Sequence, residues 1–151
     1  MRLEVILNGK KTVLEAASDE FLADTLRRYG LLSIRRGCDT TNCGLCTVWL
    51  DGAPVLSCAT LTARLAGKAI TTIEGVAAEA EAFARFLTAE GAEQCGFCSP
   101  GFIMTVLAMK RELKNPSEAE ITHYLEGNLC RCTGYMGQLR AVKKYLEESD
   151  V

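Results

Sequence analysis

Alternating hydrophobic and polar positions at the start of the chain predict a β-hairpin. Leu3, Val5 and Leu7 recur at every second residue, which places their side chains on one face of a strand. The dipeptide Asn8-Gly9 then supplies a two-residue hairpin turn. We expect the return strand to run from Lys11 to Leu14.

The hydrophobic spacing then changes to that of an amphipathic helix. Three apolar side chains form its face: Leu22, Leu26 and Tyr29. Ser18 or Asp19 is expected to cap this helix at its start, and Gly30 is expected to end it.

Further strands are predicted after this helix. Cys46–Leu50 is rich in β-forming residues, Asp51-Gly52 is a second hairpin turn, and Pro54–Cys58 forms the return strand. A last strand around Ala69–Ile73 completes the first half of the chain, which therefore combines strands with a single helix.

The second half has helical spacing throughout. The first two predicted helices are Ala77–Glu90, ended by Gly91, and Ser99–Leu113, with Ser99 as the cap and Pro100 in the first turn. The third starts at the capping box of Ser117 and Glu120 and is ended by Gly127. The fourth is an amphipathic helix whose apolar face carries Leu139, Val142, Tyr145 and Leu146. The change of period near Gly75 predicts an α+β protein with two domains, residues 1–75 and 76–151.

The composition is that of a folded globular protein, with 48% hydrophobic and 24% charged residues among 151. A net charge of −2 gives no reason to expect nucleic acid or an acidic membrane surface as a partner. The longest strongly apolar run, Phe102–Met109, is too short to span a bilayer, and the first residues lack the apolar segment of a signal peptide. We therefore expect a cytoplasmic protein with reduced thiols and no membrane partner.

Eight cysteines fall into two sets of four with different spacings. The first cysteine set, C-x4-C-x2-C-x11-C, is Cys38, Cys43, Cys46 and Cys58; the second cysteine set, C-x2-C-x31-C-x-C, is Cys95, Cys98, Cys130 and Cys132. Four thiolates are the ligands of a 2Fe–2S cluster, and the first spacing is that of plant-type ferredoxins. The sequence thus predicts two metal sites, each an electron-transfer centre.

Other cysteine chemistry remains open at this point. Eight cysteines could form four disulfides, but such frameworks belong to secreted domains with weak cores. The two close pairs of the second cysteine set are also compatible with structural zinc. A redox-sensing role would require exposed thiols of low pKa. A thioredoxin-like role for Cys95-Gly96-Phe97-Cys98 lacks the surrounding βαβ pattern.

The residues around the cysteines suit a buried anion. Gly37, Gly44 and Gly52 allow the backbone of the first loop to approach closely and to turn its N–H groups inward. Cys98 directly precedes a helix start, where the positive end of the helix dipole favours thiolate. Cys130 and Cys132 follow the end of another helix, so the second site is assembled from several helices.

No catalytic set accompanies these sites. The only histidine, His123, lies in the middle of a predicted helix and is interpreted as a surface or packed residue. Met104 and Met109 are interpreted as core residues. The sequence has no Ser/His/Asp set and no Gly-rich phosphate loop, so we expect substrate chemistry to take place on another chain.

Three segments together resemble a known family: residues 37–48 (GCDTTNCGLCTV), 94–101 (QCGFCSPG) and 127–135 (GNLCRCTGY). In this order, and over almost the whole chain, they are similar to the small iron–sulfur subunit of molybdenum hydroxylases. This family includes xanthine dehydrogenase, aldehyde oxidoreductase, aerobic carbon monoxide dehydrogenase and nicotinate dehydrogenase. The sequence looks most like the short subunits of the xanthine dehydrogenase type.

The resemblance implies a β-grasp, ferredoxin-like domain followed by a four-helix domain, each with one 2Fe–2S cluster. It implies a large molybdopterin-binding subunit and a medium FAD-binding subunit as partners. In the family, the glutamine before C-G-F-C and the last cysteine of C-x-C approach the pterin, and here these are Gln94 and Cys132. Electrons would pass from the molybdenum site through the two clusters to FAD.

Two positions depart from the family pattern: Leu45 replaces the usual alanine, and Met136-Gly137-Gln138 lacks the usual apolar residue. We expect neither to contact a cluster ligand. Two other functional hypotheses remain, a free-standing two-cluster ferredoxin and a zinc-binding or redox-sensing protein.

Overall fold

The computed structural model describes residues 1–148 and contains a five-stranded mixed sheet. The strand order is β2-β1-β5-β3-β4, in which β1 pairs with β5 in parallel and the other neighbours are antiparallel. The strands are β1 (Arg2–Leu7), β2 (Lys10–Glu15), β3 (Thr47–Leu50), β4 (Ala53–Leu56) and β5 (Ala69–Thr71). The parallel pair joins β1 and β5, the first and last strands along the chain, at the centre of the sheet.

Both predicted hairpin turns are confirmed. Asn8 and Gly9 have φ values of 49° and 79°, and Asp51 and Gly52 have values of 50° and 87°, the left-handed pair that a tight hairpin turn requires. The predicted return strand to Cys58 is too long, because β4 ends at Leu56 and Cys58 lies in a 3₁₀ turn, Ser57–Ala59.

The helix of the first half, α1 (Leu22–Arg28), packs on one face of the sheet, but the predicted cap is wrong. Phe21 occupies the N-cap position and makes no side-chain capping bond. Instead, Phe21 forms a β-bridge with Leu61, and the N–H of Leu22 donates to the carbonyl of Thr60 at 2.8 Å. The helix start is therefore fixed by a distant segment of the chain.

The second half consists of α2 (Ala77–Ala89), α3 (Ser99–Glu112), α4 (Glu118–Leu125) and α5 (Met136–Glu148). The predicted capping box is present: the Glu120 N–H donates to the Ser117 hydroxyl, and the Ser117 N–H donates to the Glu120 carboxylate. The predicted cap of α3 is wrong, because Cys98 holds the N-cap position and Ser99 is the first helical residue. The end of α4 precedes Gly127, with Glu126 as its C-cap.

Two groups of buried side chains form the interior. One lies between the sheet and α1, and the other lies among α2–α5. Trp49 of β3 is only 2% exposed and belongs to the helical group, so the sheet contributes directly to the core of the helices. The prediction of an α+β protein with a β-grasp domain and a four-helix domain is confirmed. The domain boundary at residues 75/76 stays a prediction. The last three residues of the predicted second domain, 149–151, lie outside the part of the chain that the structure describes. Among residues 1–148, no helix combines the length and apolar character needed to cross a membrane.

Candidate metal centres

The first cysteine set is brought together by a loop and a turn. Cys38, Cys43 and Cys46 lie on the loop between α1 and β3, and Cys58 lies in the turn after β4. All four line one cavity of about 430 Å³. Three arginines also line it, namely Arg27, Arg35 and Arg36. Asp24 lines the same cavity and pairs with Arg36, so the lining keeps a net positive charge, which suits an anionic group.

Within the first cysteine set, the thiols interact as two pairs, Cys38 with Cys43 and Cys46 with Cys58. Backbone N–H groups of Asn42 and Thr40 lower the pKa of Cys38 to about 6. Burial raises the pKa of Cys43, and burial together with Cys46 raises the pKa of Cys58 to about 12. Of these three thiols, that of Cys38 therefore has the lowest pKa and ionises most readily.

The second cysteine set is assembled from the loop before α3 and the loop between α4 and α5. The Sγ atoms of Cys95 and Cys132 lie 3.5 Å apart, and Cys98 interacts with Cys130. Cys95 and Cys132 are exposed, whereas Cys98 and Cys130 are half-buried. This set therefore also consists of two pairs, one of which is open to the surface.

Polar groups surround the second cysteine set. The N–H of Phe97 donates to Cys95 Sγ at 3.5 Å and lowers the pKa of that thiol. Burial raises the pKa of Cys130, but the Thr133 hydroxyl, which donates to its Sγ at 3.2 Å, and backbone N–H groups lower the pKa below its ordinary value. Burial, together with the neighbouring Cys130 thiol, raises the pKa of Cys98 to about 12, although Cys98 is the N-cap residue of α3.

The pairing of the thiols fits a two-iron cluster. None of the eight cysteines, all of which lie within residues 1–148, forms a disulfide, so all eight sulfur atoms are available as thiolate ligands for a metal. A 2Fe–2S cluster takes two protein ligands on each of its two irons, which two thiol pairs supply. The donor set of each site therefore fits such a cluster.

The two cysteine sets adjoin each other. A second cavity, of about 470 Å³, is lined by Cys38 and Cys43 of the first set and by every member of the second. The N–H of Leu129 donates to the carbonyl of Cys43 at 2.9 Å. A Cβ atom at Gly44 would lie 2.5 Å from the carbonyl oxygen of Gly127, so the two loops touch through their backbones.

Several site residues were not predicted from the sequence. Gln138 is buried; its Nε2 donates toward Cys98 Sγ at 4.0 Å, and its Oε1 lies 3.1 Å from the Thr133 hydroxyl oxygen. The expectation that this departure from the family pattern avoids the ligands is therefore wrong. The Tyr135 hydroxyl accepts a hydrogen bond from the N–H of Cys130 at 3.0 Å. The sequence held one signal that could have predicted the role of Gln138, namely a polar residue at a position where the family usually has an apolar one.

Gln94 and Cys132, which the resemblance assigns to the pterin, are both exposed. Gln94 precedes Cys95, whose thiol pairs with that of Cys132. Exposed apolar side chains lie nearby in the chain, namely Phe97, Leu129, Tyr135 and Met136. These four residues are called the apolar face below.

Family models match both halves of the chain. The model of a 2Fe-2S iron-sulfur cluster binding domain matches residues 5–69, and that of a [2Fe-2S] binding domain matches residues 72–143. The nicotinate dehydrogenase small FeS subunit of Eubacterium barkeri is 40% identical over 94% of this chain and 92% of its own length. The xanthine dehydrogenase iron-sulfur-binding subunit of Escherichia coli O157:H7 is 43% identical over 88% of this chain and 86% of its own length.

The chain belongs to the family of small iron–sulfur subunits of molybdenum hydroxylases. This iron–sulfur subunit has two 2Fe–2S binding domains and is an electron-transfer component of an oxidoreductase. Its fold matches the structure of quinoline 2-oxidoreductase from Pseudomonas putida 86, with a TM-score of 0.90 and 37% identity over 99% of this chain and 94% of that one. The aldehyde oxidoreductase from Desulfovibrio gigas matches with a TM-score of 0.90 and 34% identity, and there the subunit corresponds to 17% of a longer chain.

Proposed function

We propose that this subunit transfers electrons from a molybdopterin site on a large subunit to FAD on a medium subunit, in a cytoplasmic molybdenum hydroxylase of the xanthine dehydrogenase type. The observation that carries this proposal is the cavity bounded by thiols of both cysteine sets, because adjoining sites suit electron transfer in series. Each 2Fe–2S cluster, when bound, takes up and releases one electron.

The proposed ligands are the two cysteine sets. Cys38, Cys43, Cys46 and Cys58 would hold one cluster in the β-grasp domain, and Cys95, Cys98, Cys130 and Cys132 the other among the helices. Buried Cys43 and Cys46 exclude water from the first site, and the hydroxyl of Thr133 and the amide of Gln138 orient thiols of the second. We place the domain boundary at residues 75/76, between the two groups of buried side chains.

The partner surfaces are proposed from exposure and charge. Gln94 and Cys132 are exposed, and the apolar face supports docking of the large subunit here, with both residues directed to its pterin. Half-buried Arg35 and exposed Arg27 at the first site offer a basic rim to the medium subunit. The four exposed side chains of the apolar face favour a subunit of a complex over a free-standing ferredoxin.

Nicotinate is the second candidate substrate, because the nicotinate dehydrogenase small subunit is similar over almost the whole of both chains. Aldehydes and carbon monoxide are further candidates by family membership. The substrate pocket belongs to the large subunit, so this chain sets the path of the electrons in every case.

The first test is the iron and acid-labile sulfide content of the purified full chain. We expect about four of each per chain. The variant Cys58→Ala is expected to retain about two of each, because only the first site is lost. Zinc in place of iron, or all eight thiols freely reactive toward a labelling reagent in fresh protein, would contradict the proposal.

The second test is the activity of the co-purified complex. The rates of oxidation of xanthine, nicotinate, an aldehyde and carbon monoxide are compared with one another. Each rate is measured once with an artificial electron acceptor and once with electron transfer to the FAD of the medium subunit. Xanthine is expected to be the best substrate. A chain that purifies alone, fully loaded and stable, would instead favour a free carrier.

A further inference from the structure

A single side chain, that of Arg35, contacts both cysteine sites. Arg35 lies three residues before Cys38 and lines the cavity of the first cysteine set. Its Nη1 donates a hydrogen bond to the carbonyl of Gly96 at 2.9 Å, and Gly96 lies between Cys95 and Cys98 of the second set. The contact joins residues that are 61 positions apart in the sequence.

The guanidinium of Arg35 also stacks on Phe97, with its central carbon 5.1 Å from the ring centroid. Phe97 lines the cavity of the first cysteine set and the cavity between the two sets. The Arg35–Phe97 pair therefore forms a wall that belongs to both sites. Arg35 is half-buried, so its charge is less screened than that of an exposed arginine.

We propose that Arg35 is a shared positioning residue of the two sites: it holds the Gly96–Phe97 turn against the first loop and places one positive charge between the clusters. This inference rests on the proposed binding of a cluster at each site. Reduction adds one negative charge to a cluster, and a nearby fixed cation stabilises the reduced form. Arg35 thereby raises the reduction potential of both sites.

The neighbouring Arg36 provides a matched control. It lines the cavity of the first cysteine set, but it is exposed, and its guanidinium pairs with Asp24 at 3.1 Å. Arg36→Gln thus removes the same charge one residue further along the chain, where a carboxylate already offsets it. Only Arg35→Gln, and not Arg36→Gln, removes the guanidinium that donates to the carbonyl of Gly96 in the loop before α3.

The test is an EPR-monitored redox titration of the full chain, loaded with its clusters, for wild type, Arg35→Gln, Arg35→Lys and Arg36→Gln. We expect Arg35→Gln to lower the midpoint potentials of both sites. We expect Arg36→Gln to leave the midpoint potential of the second cysteine set unchanged. Arg35→Lys keeps the charge and is expected to restore most of both potentials. Iron content is measured in parallel.

The outcomes separate the inference from the proposed function. A wild-type chain without iron would contradict the proposed function itself. Full iron content with no change, or with a change at only one site, in Arg35→Gln would overturn the shared role of Arg35. Equal shifts in the Lys and Gln variants would overturn the role of its charge. A fall of both potentials in Arg35→Gln, reversed by Lys, supports the inference.

Discussion

The indole N–H of Trp49 donates a hydrogen bond to the backbone carbonyl of Met104 at 3.0 Å. Trp49 belongs to β3 and Met104 to α3, so this bond joins the sheet to the helices. The guanidinium of Arg111 lies 3.9 Å from the Trp49 ring centroid and covers its outer face. The two halves therefore share a core side chain as well as adjoining loops.

Replacing Trp49 with Phe should destabilise the whole chain. The variant loses the bond to Met104 and leaves space in a site that is only 2% exposed, for a cost of about 3 kcal/mol. We expect the thermal midpoint of the loaded chain, followed by far-UV circular dichroism, to fall by roughly 6–12 °C. Val13→Ala, at a position 40% exposed on β2, should have little effect. A similar fall in both variants would contradict this role of Trp49.

Gly44→Ala should disrupt the contact between the two cysteine loops. Gly44 has a φ of 74°, and a Cβ there would lie 2.5 Å from the Gly127 carbonyl oxygen. Gly67→Ala is the matched control, because Gly67 has a φ of 75° but nothing within 4 Å of its Cβ position. The control should cost about 1 kcal/mol through backbone strain alone.

We expect Gly44→Ala to cost several kcal/mol more than this control, since the loops must separate, and to reduce iron content at both sites. The measurements are the unfolding midpoint and the iron stoichiometry of the two variants. Equal stability and equal iron content in the two variants would show that the close backbone contact is unimportant.

The ion pairs of Glu90 should make stability depend on pH. Its carboxylate, 12% exposed at the end of α2, binds Lys144 and Arg140 of α5. These two cations lower the pKa of Glu90 below its ordinary value of 4.5. The stabilisation is therefore complete above that ordinary value and is lost as the pH falls through the lower pKa of the folded state.

We expect Glu90→Gln to lower the thermal midpoint at pH 7, and the difference from wild type to shrink as the pH falls below 4.5. Far-UV circular dichroism of both proteins at each pH is the measurement. Glu81→Gln removes an exposed pair with Arg85 and should change the midpoint little. A difference that stays constant down to acid pH would exclude this origin.

The apolar face should matter for assembly rather than for cluster binding. Met136 is 61% exposed and opens α5 directly after the second cysteine set. In the proposed complex, a charge there would be buried against the large subunit, so Met136→Glu should weaken binding of that subunit by roughly tenfold or more. Co-purification and the iron content of the free chain are the measurements, with Val13→Glu as the control. Lost iron in the Met136 variant would point to a structural role instead.

Local signals along the chain predicted much of the fold. Asn8-Gly9 and Asp51-Gly52 specify their turns through backbone conformation alone, and Ser117 and Glu120 form a capping box within four residues. Where a distant segment intervened, the local prediction was wrong. Residues 60–61 fix the start of α1 by backbone pairing, which makes a cap at Ser18 or Asp19 unnecessary.

The composition of the candidate sites was predictable, but their arrangement was not. Cysteine spacing indicated two four-thiol sets, and the structure brings the members of each together in pairs. The bond from Leu129 to Cys43, and that from Arg35 to Gly96, join segments far apart in the sequence, for which no periodic signal exists. Gln138 was misjudged because its burial depends on how α5 packs.

The contacts of Gly44 also bear on protein engineering. Gly101 of α3 faces the same loop, and a Cβ there would lie 2.4 Å from the Gly44 carbonyl oxygen. Residues 1–75 are consequently not an interchangeable module: a foreign ferredoxin grafted in their place would need a backbone of matching shape at this loop and an indole at the position of Trp49. Chimeras joined near residue 75 must therefore rebuild both the contact between these loops and the surroundings of Trp49.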